Sequence, residues 1–167
     1  MNDLLIPKYA ILEIERRWLA LPERLPELGS LKHFLVEDIY FPDTRMRLRK
    51  MTGFDGPVYK LAKKYGKISP IEEPIVNIYL DENEYSFFAA LPGRRLVRRR
   101  FHFHAGGRTY SINMILEGEG PIIVEAEYES REIALRDVPP PFCGDEISND
   151  VFYEAVKFAG IAQSGKH

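Results

Sequence analysis

The chain has 167 residues, of which 45% are hydrophobic and 29% charged, with a net charge of −2 and a mean hydropathy of −0.26. That composition suits one globular domain with its own core and argues against a nucleic-acid polymer or an anionic membrane as partner, both of which favour a net basic surface. The single cysteine, Cys143, excludes an internal disulfide and a multi-cysteine zinc site, and no apolar run approaches the roughly 20 residues that span a bilayer, so a cytoplasmic protein is expected.

The first predicted element is a strand over residues 11–18. Its alternation sets Glu13, Glu15 and Arg17 on one face and Leu12, Ile14, Arg16 and Trp18 on the other. A Pro- and Gly-containing connection over 21–30 follows. Strands are expected over 32–40 and 44–51, the second with Arg45, Arg47 and Arg49 on one face. The turn residues Thr52-Gly53-Phe54-Asp55-Gly56-Pro57 lead to a strand over 58–64 and make a hairpin. Another strand is read over 75–80. Asp81 and Glu84 then form a capping-box pattern ahead of a helix that ends at Pro92-Gly93. Strands over 94–104 and 109–116 flank Ala105-Gly106-Gly107-Arg108, a strong hairpin signal. A strand over 122–128, a short helix over 130–136, the stiff Pro139-Pro140-Pro141 linker and an amphipathic helix over 149–159 complete the chain. Seven or eight strands with few helices predict a mainly β fold, an antiparallel sheet or barrel.

Four strands share a peculiarity. Glu13/Glu15/Arg17, Arg45/Arg47/Arg49, Arg98/Arg100/His102 and Glu125/Glu127/Glu129 each carry charge at alternating positions, while the opposite positions are mostly apolar. One reading is a set of solvated faces over an apolar core, the usual arrangement in antiparallel sheets. Each face is nearly of one sign, however, and like charges side by side destabilise a sheet unless something bridges them. The other reading turns the charged faces inward around a wet lumen. There, carboxylates would hold Mg²⁺ or Mn²⁺, whose preferred ligands are oxygens, and arginine forks would hold phosphate oxygens. A metal and many cations around one anion are the parts that phosphoryl transfer uses. His102 and His104 stand two apart, but the acidic strands supply better ligands for such metals.

These segments resemble, in order, the motifs of the CYTH domain, or triphosphate tunnel metalloenzyme, superfamily. Glu13-Ile14-Glu15-Arg16-Arg17 is similar to its ExExK signature. Tyr40 with Met46-Arg47-Leu48-Arg49 resembles the family tyrosine and its L-R-x-R strand, and Leu61-Ala62-Lys63 its T-x-K strand. Gly93 to Phe101 resembles the helix exit and K-x-R strand, Val124 to Tyr128 the E-x-E-F strand, and Gly144 to Ser148 the G-x-E-V-T stretch. The resemblance implies a single domain over residues 1–167: an eight-stranded antiparallel β-barrel at about 8–130, enclosing a hydrophilic tunnel, then a C-terminal helical segment at about 130–162. It further implies a divalent-metal-dependent enzyme acting on a small triphosphate, first inorganic triphosphate, with class IV-type adenylyl cyclase or thiamine triphosphatase as alternatives and a non-catalytic polyphosphate- or nucleotide-binding module as a fourth. A homodimer is compatible with it.

On this resemblance Glu13, Glu15, Glu125, Glu127 and Glu146 form the metal set, and Arg47, Arg49, Lys63, Arg98 and Arg100 bind the triphosphate. Glu13, Glu15, Arg17 and Tyr40 make up the catalytic set. Two positions depart from the family pattern. Arg17 replaces the signature lysine, and arginine cannot serve as a proton acceptor at working pH. Asn113 stands where many members carry aspartate, removing one charge beside the metal side.

Overall fold

A computed structural model describes residues 6–160. Its strands are β1 (Ile11–Ala20), β2 (Lys32–Tyr40), β3 (Met46–Gly53), β4 (Gly56–Lys64), β5 (Glu72–Leu80), β6 (Arg94–Ala105), β7 (Arg108–Ile115), β8 (Ile123–Glu127) and β9 (Cys143–Glu146), with helices α1 (Glu82–Ala89) and α2 (Arg131–Arg136). The antiparallel order β5-β4-β3-β2-β6-β7-β8-β1 closes on itself because β1 also pairs with β5. The result is an eight-stranded barrel, with β9 continuing the β5 edge of β1. Among the described residues no helix is long and apolar enough to cross a membrane.

Local chemistry explains the joints. Gly106 and Gly107 both have positive φ, 57° and 75°, which a two-residue hairpin turn between Ala105 and Arg108 requires. Asp81 accepts from the Glu84 amide while the Glu84 carboxylate accepts from the Asp81 amide, each at 2.9 Å, so the capping box starts α1 as expected. Ser130 caps α2 through the Ile133 amide.

The main apolar layer lies outside the barrel wall. Trp18, Tyr110, Ile112, Val124 and Ala126 are fully or nearly fully buried on the outer faces of β1, β7 and β8, packed with Ala134 of α2, Phe142 and the leucines of the 21–31 connection. Each large side chain so covered contributes about 1.5–3 kcal/mol of transfer free energy. α2 is tied down by polar bonds as well: Tyr110 and Tyr128 both donate to the Asp137 carboxylate, and Arg16 donates to the carbonyls of Ala134 and Asp137. With the greasy groups outside, the charged alternate positions face the lumen.

The C-terminal part differs from expectation. Within the helical segment expected at 130–162, α2 has six residues, β9 is a strand, and the helix expected over 149–159 is replaced by two 3₁₀ turns, Val151–Tyr153 and Ala155–Phe158. Positions 161–162 lie outside the described residues. Glu154 between the turns is extended, with φ −65° and ψ 136°. The backbone here is bound by the barrel instead of by itself. Arg17 donates to the Tyr153 carbonyl, Arg94 to the Ala159 carbonyl, and the Gly160 amide donates to the Arg95 carbonyl. β5 also starts earlier than expected, at Glu72, because Ile11–Ile14 of β1 pairs with its first residues.

Candidate active site in the barrel lumen

Alternation on the strands delivers one set of side chains to a single cavity of about 560 Å³. β1 contributes Glu13, Glu15 and Arg17; β3, Arg47 and Arg49; β6, Arg98 and Arg100; β8, Glu125 and Glu127. Tyr40, Lys64, Lys67, Glu73 and the turn residues Val151, Glu154 and Val156 complete the main walls. Strand register then decides which charges meet. Glu15 lies opposite Glu127 and Arg17 opposite Glu125, while Arg49 lies opposite Asp38 and Arg100 opposite Asn113.

At the acidic end, Glu13, Glu15 and Glu127 each bring a carboxylate oxygen to within 4.8 Å of the others. Lys64 is the cation that answers them in part, 2.8 Å from Glu13 and 3.4 Å from Glu73. Burial, then the neighbouring Glu125 and Glu13, push the Glu15 carboxyl up to about 8. Excess negative charge of this kind, presented on oxygens alone, fits a hard divalent cation.

At the basic end the carboxylate of Asp38 is wholly buried. Arg49 grips it with two bonds, Nε to Oδ1 at 2.7 Å and Nη2 to Oδ2 at 2.9 Å. Arg98 donates to Oδ2 at 2.6 Å, and the Arg47 Nε stands 3.9 Å from Oδ1. Burial alone would raise the Asp38 carboxyl, but Arg49, Arg47 and Arg98 together hold it far below the usual carboxylate range. Among the described residues the buried side-chain polar atoms without a hydrogen-bond partner are the Nε atoms of Arg47, Arg98 and Arg108, the first two on the cavity wall. Orphan cationic donors on a cavity wall are matched to an anion that would enter it.

Between the ends stands Glu125. Its Oε2 accepts from Arg100 at 3.0 Å and from the Asn113 amide at 3.2 Å, and Oε1 is 3.6 Å from the Arg17 Nε. Burial works against its charge, but Arg100 and then Arg17 outweigh it and set the carboxyl near about 2. Burial in turn lowers Arg100 to about 10, still charged at neutral pH. Arg17 is 8% exposed, shared between Glu125, Glu15 at 3.9 Å and the Tyr153 carbonyl.

Of the residues singled out from sequence, Glu13, Glu15, Arg17, Tyr40, Arg47, Arg49, Arg98, Arg100, Glu125 and Glu127 all line the lumen. Two do not. Lys63 is exposed on the opposite face, its ammonium 5.0 Å from the Tyr65 ring centroid, and Lys64 takes the lumenal place. Glu146 of β9 is exposed and bound by Arg16 at 3.0 and 2.8 Å and by the Ser148 hydroxyl at 2.7 Å, apart from the acidic trio. Sequence reading missed Asp38, although it lies two residues from Tyr40 and therefore on the same strand face. Glu73 and Lys67 were missed as well; both lie between the strands expected over 58–64 and 75–80.

No protein-family model matches the chain, and no curated protein matches it. Solved structures do. The inorganic triphosphatase NE1496 superposes with a TM-score of 0.57 at 23% identity, over 89% of this chain and 94% of that one. The PH1819 protein of Pyrococcus horikoshii OT3 gives 0.58 at 18% identity, over 72% and 81%. A candidate adenylate cyclase from Bacillus halodurans gives 0.51 at 14% identity, over 85% and 98%. The likeness shows the fold, a closed eight-stranded antiparallel barrel shared with these structures, as the strand pattern and the resemblance led one to expect.

Proposed function

We propose that the chain is a divalent-metal-dependent hydrolase of a triphosphate, inorganic triphosphate before others. The observation that carries this is the pairing, across one cavity, of an under-neutralised carboxylate trio with arginines whose buried Nε atoms lack partners. The name of the similar triphosphatase supports the same substrate class. Glu13, Glu15 and Glu127 would hold Mg²⁺ or Mn²⁺, which when bound polarises phosphate oxygens and stabilises charge that builds up at the leaving group. Arg47, Arg49, Arg98 and Arg100 donate to the phosphate chain and neutralise it, and because Asp38 and Glu125 fix them in advance, little reorganisation is left for the reaction. The carboxylates of the acidic end accept hydrogen bonds from the attacking water and orient it. Arg17 binds and positions but takes no proton, since its guanidinium stays charged.

Phosphate release from tripolyphosphate, ATP and thiamine triphosphate, in Mg²⁺, Mn²⁺ or EDTA, tests the proposal. Release from tripolyphosphate that stops in EDTA is expected; cyclic AMP from ATP would favour the cyclase reading instead. A second reading is a polyphosphate-binding module without turnover. It draws on Arg17, whose guanidinium is already committed to the Tyr153 carbonyl and two carboxylates. Tight tripolyphosphate binding without phosphate release would select it.

A further inference from the structure

Two carboxylates in the lumen have the same kind of surroundings. Asp38 is enclosed by Arg47, Arg49 and Arg98. Glu125 is enclosed by Arg17, Arg100 and the Asn113 amide. Neither belongs to the trio whose oxygens converge, although Glu125 shares a strand face with Glu127 and lies two residues from it. The cause is register. Glu127 faces Glu15 across the β1–β8 ladder and adds to a carboxylate cluster, whereas Glu125 faces Arg17. Asn113 reinforces the difference, because its amide nitrogen donates to Glu125 where an aspartate would repel it. Asn113 also accepts from Arg100 at 2.8 Å, which draws that arginine onto the same carboxylate.

We infer that Glu125 is not a metal ligand in this chain but the fixed counter-ion that positions Arg17 and Arg100, as Asp38 does for its arginines, so that the lumen binds one divalent cation, at Glu13, Glu15 and Glu127. The inference rests on the metal reading given above and assigns this chain's own residues within it. The two departures from the family pattern, Arg17 and Asn113, thereby act on one carboxylate: Arg17 sets a guanidinium beside Glu125 where the signature has an ammonium, and Asn113 supplies an amide donor where an aspartate would add a second negative charge.

Mn²⁺ binding to the metal-free protein, followed by calorimetry and by the Mn²⁺ spin-resonance signal without any phosphate compound present, tests it together with thermal unfolding. The wild type is expected to bind one Mn²⁺ per chain. Glu127→Gln should weaken that binding about a hundredfold through loss of a charged ligand and leave the unfolding midpoint unchanged or higher. Glu125→Gln should weaken it by no more than about fivefold, the share of a nearby charge that touches no metal, while its midpoint falls because Arg17 and Arg100 lose their counter-ion. The double variant Glu125→Gln/Arg100→Met should recover most of that fall, a coupling expected of a charge pair and not of general packing damage. Equal loss of Mn²⁺ affinity in Glu125→Gln and Glu127→Gln, two Mn²⁺ per wild-type chain, or an unaltered Glu125→Gln midpoint would overturn the assignment of Glu125. A wild type that binds no Mn²⁺ would overturn the metal reading beneath it.

Discussion

The two ends of the lumen handle charge in opposite ways. At the basic end the protein supplies both signs: Asp38 is fully buried, yet every oxygen of its carboxylate meets a guanidinium. At the acidic end Glu13, Glu15 and Glu127 converge with Lys64 as their partial answer, and Glu15 is left with its carboxyl pushed up to about 8. A buried charge that is paired is part of the scaffold, and breaking it costs the fold. A crowded set of like charges is poorly explained by stability and is the better mark of a place awaiting a ligand. The contrast separates charge that the fold itself neutralises from charge that it leaves unmet within one cavity.

The strongest way to break the comparison is at Asp38. Asp38→Ala would leave Arg47, Arg49 and Arg98 facing each other unpaired, and a loss of about 3–5 kcal/mol in denaturant unfolding is expected. A loss below about 1 kcal/mol would place Asp38 with the exposed ion pairs, whose worth is of that order. The acidic end should respond in the opposite sense. Glu127→Gln or Glu13→Gln should lower metal-dependent phosphate release by about a hundredfold or more through loss of charge stabilisation, with the unfolding curve kept; variants with full activity would remove these residues from the reaction. Saturating Mn²⁺ should also stabilise the wild type, by about 2.7 kcal/mol at a hundredfold excess over Kd, and leave Glu127→Gln almost untouched. A smaller effect is expected at Arg17. Arg17→Lys gives a compact ammonium that reaches fewer partners at once, and a rate rise of up to about tenfold is expected if arginine's fork holds the site too rigidly; an unchanged or lower rate would show that the fork does not slow the reaction.

The smallest effect concerns His102, which burial, then Arg100 and His104, lower to about 4. A histidine of ordinary value in the unfolded chain takes up its proton near pH 6.5, whereas the folded protein refuses it until about 4. This contribution is therefore whole above pH 6.5 and is lost as pH falls from there toward 4. His102→Gln should flatten the stability profile across that window, and an identical slope in wild type and variant would show that His102 does not cause it.

Much of this architecture was legible in the sequence because single-signed charge at every second residue is hard to reconcile with an open solvated sheet. Glu13/Glu15, Arg47/Arg49 and Arg98/Arg100 carried that pattern by themselves. What stayed hidden depends on which strands become neighbours. Arg17 reaches Glu125 and Arg49 reaches Asp38 through ladder register, which no local pattern encodes. The lysine strand shows how little separates right from wrong. Lys60, Lys63 and Lys64 lie within five positions, and a one-residue shift in phase exchanges the inner and outer faces. At the C-terminus Val151, Ala155 and Phe158 have helical spacing, but Val, Phe and Tyr are middling helix formers, and the Arg17 side chain takes the Tyr153 carbonyl that a helix over 149–159 would have used internally.

The division of β1 between two partners on one edge has a consequence for assembly. Ile11–Ile14 runs along β5, Trp18 and Ala20 meet β9, and the opposite edge is held by β8. The hairpins from β2 to β5 and from β6 to β8 join segments adjacent in the chain and can zip as they are synthesised, whereas the first strand made must wait for nearly the last. Long loops have to close before that seam forms, so the entropy of closure falls on the sealing of the ring, and contact order predicts that this seam forms after the local hairpins.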